Sequence, residues 1–160
     1  MDLDAARSLA RELMARHGLA AWSFSFDRAK RRLGSCRYAD TTITLSAPLT
    51  RLNPEAVITD TLLHEIAHAL TPGAGHGPRW RTMAARLGAT PRATARSEQL
   101  ALPAARYTLV CDSCGVQVPR YRRPRRRLVC RRCFARHRSG LAPAPAPLRV
   151  VTTEPPRHRG

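Results

Sequence analysis

Apolar and polar positions divide the chain into segments of different period. In residues 4–16, Leu9, Leu13 and Met14 continue a stripe begun at Leu3, which predicts an amphipathic helix stopped by Gly18. "WSFSF" at 22–26 alternates large apolar residues with serine, the period of a half-buried strand. "RAKRRLGSC" predicts a turn centred on Gly34. "YADTTITLS" at 38–46 alternates again around Ile43 and Leu45, giving a second strand, with room for a third, ended by Pro48. "LNPEAVITDTLLHEIAHAL" has helix signals at its start: Asn53 as N-cap, Pro54 in the first turn, and Glu55 at the positive end of the dipole. Pro72 and Gly73 stop it. A further helix is predicted from Pro78 to about residue 87, before Gly88. Residues 89–104 read as a link, with Leu100 and Leu102 able to pack on the preceding unit. From Tyr107, short β-prone runs ("YTLVC", "RLVC") alternate with CxxC pairs. The Pro/Ala-rich tail, with "LAPAPAPL" and "TTEPPRHRG", predicts disorder over 139–160.

Composition adds a partner. The chain has 160 residues, enough for one main domain and a small appendage, and a formal charge of +17. Of its 28 basic residues only Lys30 is lysine. Arginine favours bidentate contacts to phosphate or carboxylate, so a polyanion, above all nucleic acid, is the expected partner. The N-terminus opens on acidic residues without an apolar segment, unlike a signal peptide, and no run reaches the roughly 18 apolar residues of a membrane span. Of five cysteines, four fall in CxxC pairs. That usage points to metal binding in a reducing cytoplasm rather than to disulfides. A cytoplasmic monomer without membrane contact is expected, with association to the nucleoid open to it.

His64 and His68 lie one turn apart on the same helix face, where two neutral imidazoles can bind one zinc ion. Glu65 lies about 100° around the helix from His64 and can reach a water on that zinc without binding the metal. Zinc acidifies its water, and a nearby carboxylate can take the proton as water attacks a carbonyl. The rest of the helix is apolar (Val57, Ile58, Leu62, Leu63, Ile66, Leu70), so it is expected to be central, where uncompensated histidines are costly. The alternative is a pair of core histidines bonded to backbone or carboxylates. A catalytic zinc needs a third protein ligand, for which His76 and Glu98 are the candidates. His76 sits in "GAGHG", whose glycines let the chain turn back; Glu98 has the separation of a distant glutamate on a following helix.

"GSCRYADTTITLS", "DTLLHEIAHAL" and "GHGPRW", in this order, closely resemble the SprT-like metallopeptidase family, whose eukaryotic relative Spartan degrades proteins crosslinked to DNA. The resemblance covers about residues 5–135. It implies His64, His68 and His76 as zinc ligands, Glu65 as the catalytic glutamate, and a compact α+β zincin-like fold with a small sheet beside a buried HExxH helix. It also implies zinc metalloendopeptidase activity on protein or peptide substrates. The domains expected are a metallopeptidase unit over 1–104, an arginine-rich zinc ribbon over 105–138 and the tail.

Cys111-x2-Cys114 and Cys130-x2-Cys133, fifteen residues apart, match a four-thiolate structural zinc site. Two zinc ions, one catalytic and one structural, are therefore expected. A C-terminal zinc ribbon also occurs in bacterial SprT proteins, so the resemblance continues here. From Arg106 to Arg138 there are eleven arginines and one acid, Asp112. With four thiolates on one zinc this leaves a charge of about +8 on some thirty residues. Arg120, Arg122, Arg123, Arg125, Arg126, Arg127, Arg131 and Arg132 are the candidate nucleic-acid contacts, directed at backbone rather than bases. Tyr121 suits either base stacking or the module's core. Cys36 suits a small buried hydrophobe or a reversible zinc-blocking thiol. Trp22 and Trp80 are expected in the core. Tyr38 and Arg79 are candidate oxyanion donors that sequence cannot orient. The rival reading is a non-catalytic nucleic-acid-binding protein with purely structural zinc.

Overall fold

The computed structural model describes residues 1–92 and 100–153. Contacts divide the chain into two units, Met1–Pro103 and Ala104–Gly160. The first has elements α1 (Leu3–Arg16), β1 (Ser23–Asp27), β2 (Gly34–Arg37), β3 (Thr42–Ser46), α2 (Ala47–Leu52), α3 (Glu55–Leu70) and α4 (Pro78–Leu87). The second has β4 (Tyr107–Val110), β5 (Gln117–Arg120), α5 (Arg131–Arg138) and β6 (Arg149–Thr152). The protein is α+β, as expected. No described helix is long and apolar enough to cross a membrane.

In the first unit Asp2 caps α1, its carboxylate accepting the N–H groups of Asp4 (2.8 Å) and Ala5 (3.2 Å). The helix turns Ala6, Ala10, Leu13 and Met14 into the core; two are alanines, which let neighbouring backbone approach closely. The sheet order is β1-β3-β2, with β1 parallel and β2 antiparallel to β3. Helix α3 packs against β2, β3, α1 and α4. Its Ile58, Leu62 and Ile66 join Ile43, Leu45, Leu49 and Trp80 in the fully buried centre. Burying such a side chain contributes about 1.5–3 kcal/mol, so this helix supplies much of the unit's core.

Three local expectations are corrected. Gly34 makes no turn: it begins β2 and is buried where the strand crosses α3. A Cβ there would lie 2.7 Å from Thr61 Cγ2 and 2.9 Å from Glu65 Oε1, so the glycine serves a close approach. Pro48 does not simply end β3; it lies in the first turn of α2, which is capped by Ser46 accepting the Leu49 N–H at 3.2 Å. Proline is tolerated there because the first helical N–H groups have no partner inside the helix. Asn53 does not cap α3. The N-cap is Pro54, with no side-chain bond, while Asn53 is buried. Its amide donates to the carbonyls of Leu49 (2.8 Å) and Ala101 (3.0 Å), and its oxygen accepts the Ala101 N–H (2.9 Å). It therefore ties the segment after α4 to the α2–α3 junction.

In the second unit the strands run in the order β5-β4-β6, all antiparallel. The expected disorder of the tail does not hold through residue 153. Arg149–Thr152 pairs with the whole of β4, Val129 bridges Pro147, and the Leu148 N–H donates to the Leu128 carbonyl at 2.7 Å. The segment has little apolar periodicity. Proline is already restricted in φ, so ordering it costs less backbone entropy, and the β4 edge supplies the missing hydrogen bonds. Leu148 packs against the cysteine cluster. Pro119 sits in β5, an edge strand, where its missing N–H is tolerated.

Candidate metal centres and active site

Helix α3 presents His64 and His68 at its C-terminal end, and the turn after it returns His76 to the same place. Gly73 and Gly75 have positive φ, 75° and 52°, which lets the chain reverse within a few residues. The three Nε2 atoms form a nearly equilateral triangle: 3.2 Å for His64–His68, 3.0 Å for His68–His76 and 3.2 Å for His64–His76. Three such nitrogens cannot satisfy one another. Each neutral Nε2 is either donor or acceptor, so at least two are alike and one edge is repulsive. A cation resolves the conflict. Tetrahedral zinc with bonds of about 2.0–2.1 Å separates its nitrogen ligands by roughly 3.3–3.4 Å, close to the observed edges. Burial, then the neighbouring rings His68 and His76, lowers the His64 pKa to about 4. Burial and then His76 lower that of His68. Both are thus held in the neutral form that binds metal.

Trp80, fully buried on α4, backs all three rings, its centroid 4.6 Å from His64, 5.1 Å from His68 and 4.6 Å from His76. It was expected in the core and is there. Its contact with all three rings was not foreseen, and its place four residues after His76, in the first turn of α4, is the signal that carries it.

Glu65 is 8% exposed and lies between α3 and β2. Burial raises its carboxyl to about pKa 7, while the Cys36 backbone N–H and the Arg32 charge act the other way. Arg32 itself pairs with Asp27 at 2.6 Å and donates to the Gly34 carbonyl at 2.9 Å. A cavity of about 470 Å³ opens over these groups, with Gly34, Cys36 and Tyr38 on the strand side and Glu65 and the three histidines on the helix side. The Cys36 thiol is half-buried; burial first, and then the Glu65 charge, push its pKa up to about 11. The Tyr38 hydroxyl donates to the His68 carbonyl at 2.9 Å. Arg79, exposed on α4, is not among the cavity residues. Glu98, the other candidate ligand, lies outside the described residues.

In the second unit Cys111, Cys114, Cys130 and Cys133 converge, with all four Sγ atoms within 4.8 Å of one another. Cys111–Cys133 is 3.8 Å and Cys114–Cys130 3.6 Å, far beyond a disulfide bond. Tetrahedral zinc with bonds of about 2.3 Å spaces its sulfurs by roughly 3.8 Å, so the donor set fits that ion. Burial opposes the Cys111 thiolate, but the N–H groups of Cys114 and Ser113 outweigh it and its pKa falls to about 7. The other thiols, Cys114 foremost, push Cys133 up to about 12: four sulfurs cannot all ionise together without a cation.

Arg120 lies on β5, Arg122, Arg123, Arg125, Arg126 and Arg127 in the loop after it, and Arg131 and Arg132 in the first turn of α5. All but Arg120 are exposed, and among the described residues none is ion-paired; the acid of this region, Asp112, is taken by Arg149 at 3.1 Å. Tyr121 is half-buried.

The sequence pattern of the SprT-like family matches residues 5–99. No curated protein matches the chain. Among solved structures, the metallopeptidase zymogen jannalysin of Methanocaldococcus jannaschii is similar at 13% identity and TM-score 0.46, over 59% of this chain and 85% of its own.

Proposed function

Because the chain belongs to the SprT-like family, we propose that it is a zinc metalloendopeptidase acting in the cytoplasm on proteins bound or crosslinked to DNA, with the arginine-rich four-cysteine unit holding the nucleic acid. The observation that carries the catalytic reading is the triangle of Nε2 atoms beside the buried Glu65 carboxyl.

His64, His68 and His76 would hold the zinc, and three protein ligands leave a position free for the reaction. When bound, zinc supplies Lewis acidity toward water and the scissile carbonyl. Glu65 takes the proton from the attacking water and returns it to the amine as the C–N bond breaks. Burial raises that carboxyl in the metal-free protein, and a cation held by the histidines would lower it again, toward the carboxylate that accepts the proton. Trp80 holds the imidazoles in register from behind.

The case for nucleic acid is electrostatic. Eight arginines without acidic partners among the described residues offer a field suited to phosphates, and nothing in them supplies a base-specific code. DNA held by the second unit would raise the local concentration of DNA-bound proteins at the first, which is tethered to it.

The test is cleavage of a DNA-bound protein by the zinc-loaded full chain and by Glu65→Gln. The variant is expected to lose about 10²–10⁴ in rate, the usual weight of general-base assistance, with zinc content and DNA affinity unchanged. Equal activity in the variant, or none in the wild type, would favour a non-catalytic nucleic-acid-binding protein.

A further inference from the structure

Attack of water on a peptide carbonyl places negative charge on its oxygen, and active sites meet that charge with an aimed hydrogen-bond donor. The three histidines are committed to the metal and Glu65 to the proton. Of the other side-chain donors lining the cavity, Arg32 is engaged by Asp27 and the Gly34 carbonyl, and a thiol such as Cys36 is a weak donor. Two hydroxyls remain, Ser35 and Tyr38.

Tyr38 has the better placement. It begins the β2–β3 turn, which is closed by the Thr41 N–H on the Tyr38 carbonyl at 3.1 Å and by an Arg37–Asp40 ion pair. Its side chain reaches 30 residues along the chain to the C-terminal end of α3. There its hydroxyl donates at 2.9 Å to the carbonyl of His68, the residue whose ring forms one corner of the triangle. That carbonyl also accepts the Thr71 N–H at 3.0 Å. If the tyrosine leaves, the carbonyl keeps a donor and no buried acceptor is orphaned, so the bond is cheap to exchange. The residue is 43% exposed, so its side chain can move without opening the core.

We propose that Tyr38 is a further catalytic residue: its hydroxyl leaves the His68 carbonyl and donates to the oxygen of the scissile carbonyl as negative charge builds there. The inference rests on the metalloendopeptidase reading above. Water's oxygen bonds to the carbonyl carbon, Glu65 accepts water's proton and delivers it to the nitrogen, and the C–N bond breaks. Tyr38 keeps its own proton throughout. A hydrogen bond to a developing anion is stronger than one to a neutral carbonyl, which is why the hydroxyl changes partner at that stage.

The experiment uses the full zinc-loaded chain with Tyr38→Phe and, as comparator, Ser35→Ala. Zinc content and melting temperature are measured first. Turnover of a peptide follows, and then binding of two non-reacting probes: a phosphonamidate peptide mimicking the tetrahedral anion, and the uncleaved peptide bound to Glu65→Gln with and without Tyr38→Phe. Removing one such donor costs on the order of 10²–10³ in kcat, so Tyr38→Phe is expected to lose that much with KM nearly unchanged. Phosphonamidate affinity should fall in parallel, with zinc content, melting and uncleaved-peptide affinity as in wild type. Tyr38→Phe turnover within twofold of wild type overturns the proposal. So does a larger loss in Ser35→Ala, or equal weakening of both probes, which would make the Tyr38 bond purely structural. A wild type that cleaves nothing overturns instead the reading on which the proposal stands, and a cleaving wild type separates the two failures.

Discussion

Gly34→Ala tests the packing that positions Glu65. The new Cβ would meet Thr61 Cγ2 at 2.7 Å and Glu65 Cγ and Oε1 at 2.9 Å, whereas ordinary contact begins near 3.4 Å. Either β2 lifts from α3 or the two side chains move, by about 0.7 Å at Thr61 and 0.5 Å at Glu65. No positive φ is involved, so the effect comes from space alone. Overpacking of this kind typically costs about 1–3 kcal/mol. In a unit of this size each kcal/mol lowers the melting temperature by roughly 4–8 °C. The carboxylate is the mobile neighbour, and a misplacement of about 1 Å can cost some 10²-fold in rate. The expected result is a melting temperature lowered by some 4–24 °C and kcat/KM lowered by about 10–100-fold. Zinc at the histidines should be retained, because the three atoms nearest that Cβ belong to Thr61 and Glu65 and none to His64, His68 or His76. Adding Thr61→Ser removes the contacting methyl and should recover part of the stability, while activity stays low because the Glu65 contacts remain. Calorimetry, zinc analysis and peptide turnover check this. A variant with wild-type melting and turnover would refute the claim that close approach of β2 positions Glu65.

Wild-type protein should carry two zinc ions, and Cys111→Ser with Cys114→Ser should lose one and unfold the second unit alone; elemental analysis and near-UV spectra decide, and a single zinc in undepleted wild type contradicts it. In metal-free protein, His64 and His68 bind protons less readily when folded, so both remove stability as pH falls below about 6.5, His64 down to about 4. Glu65, raised from 4.5 to about 7, acts oppositely and removes stability as pH rises through that window. Glu65→Gln should therefore gain on wild type as pH rises from 4.5 to 7, by at most about 3 kcal/mol, in urea melts of chelated protein; a pH-independent difference contradicts it. Replacing Arg122, Arg123, Arg125, Arg126 and Arg127 by glutamine should flatten a log–log salt slope of DNA binding by roughly 3.5–4.5, as five phosphate contacts imply. Anisotropy titrations across salt measure it, and an unchanged slope would place DNA elsewhere.

Features encoded within one helical turn or one knuckle were legible in the sequence. His64 and His68 share a face because α-helical geometry puts residues four apart on it. The start and stop of α4 follow from Pro78 and from Gly88, which adopts φ 87°. Two CxxC pairs can hardly be anything but thiolate knuckles. Capping is less legible, because a side chain with the right chemistry for a cap can be used at longer range: Asn53 bonds to Ala101, 48 residues away.

The chemistry, then, is written along the chain: an HExxH helix, four thiols, an arginine excess and the helices whose ends carry their own signals. Which groups meet is settled only by folding. Packing brings His76 onto the His64–His68 pair, Trp80 behind all three rings, β2 against Glu65 through Gly34, and the Tyr38 hydroxyl to the His68 carbonyl. It also recruits the proline-rich tail as a strand, because the β4 edge offers hydrogen bonds that composition does not reveal. Backbone preference and side-chain spacing act over a few residues and can be read along the chain, whereas packing and strand pairing join residues tens of positions apart and arise only once the core has closed.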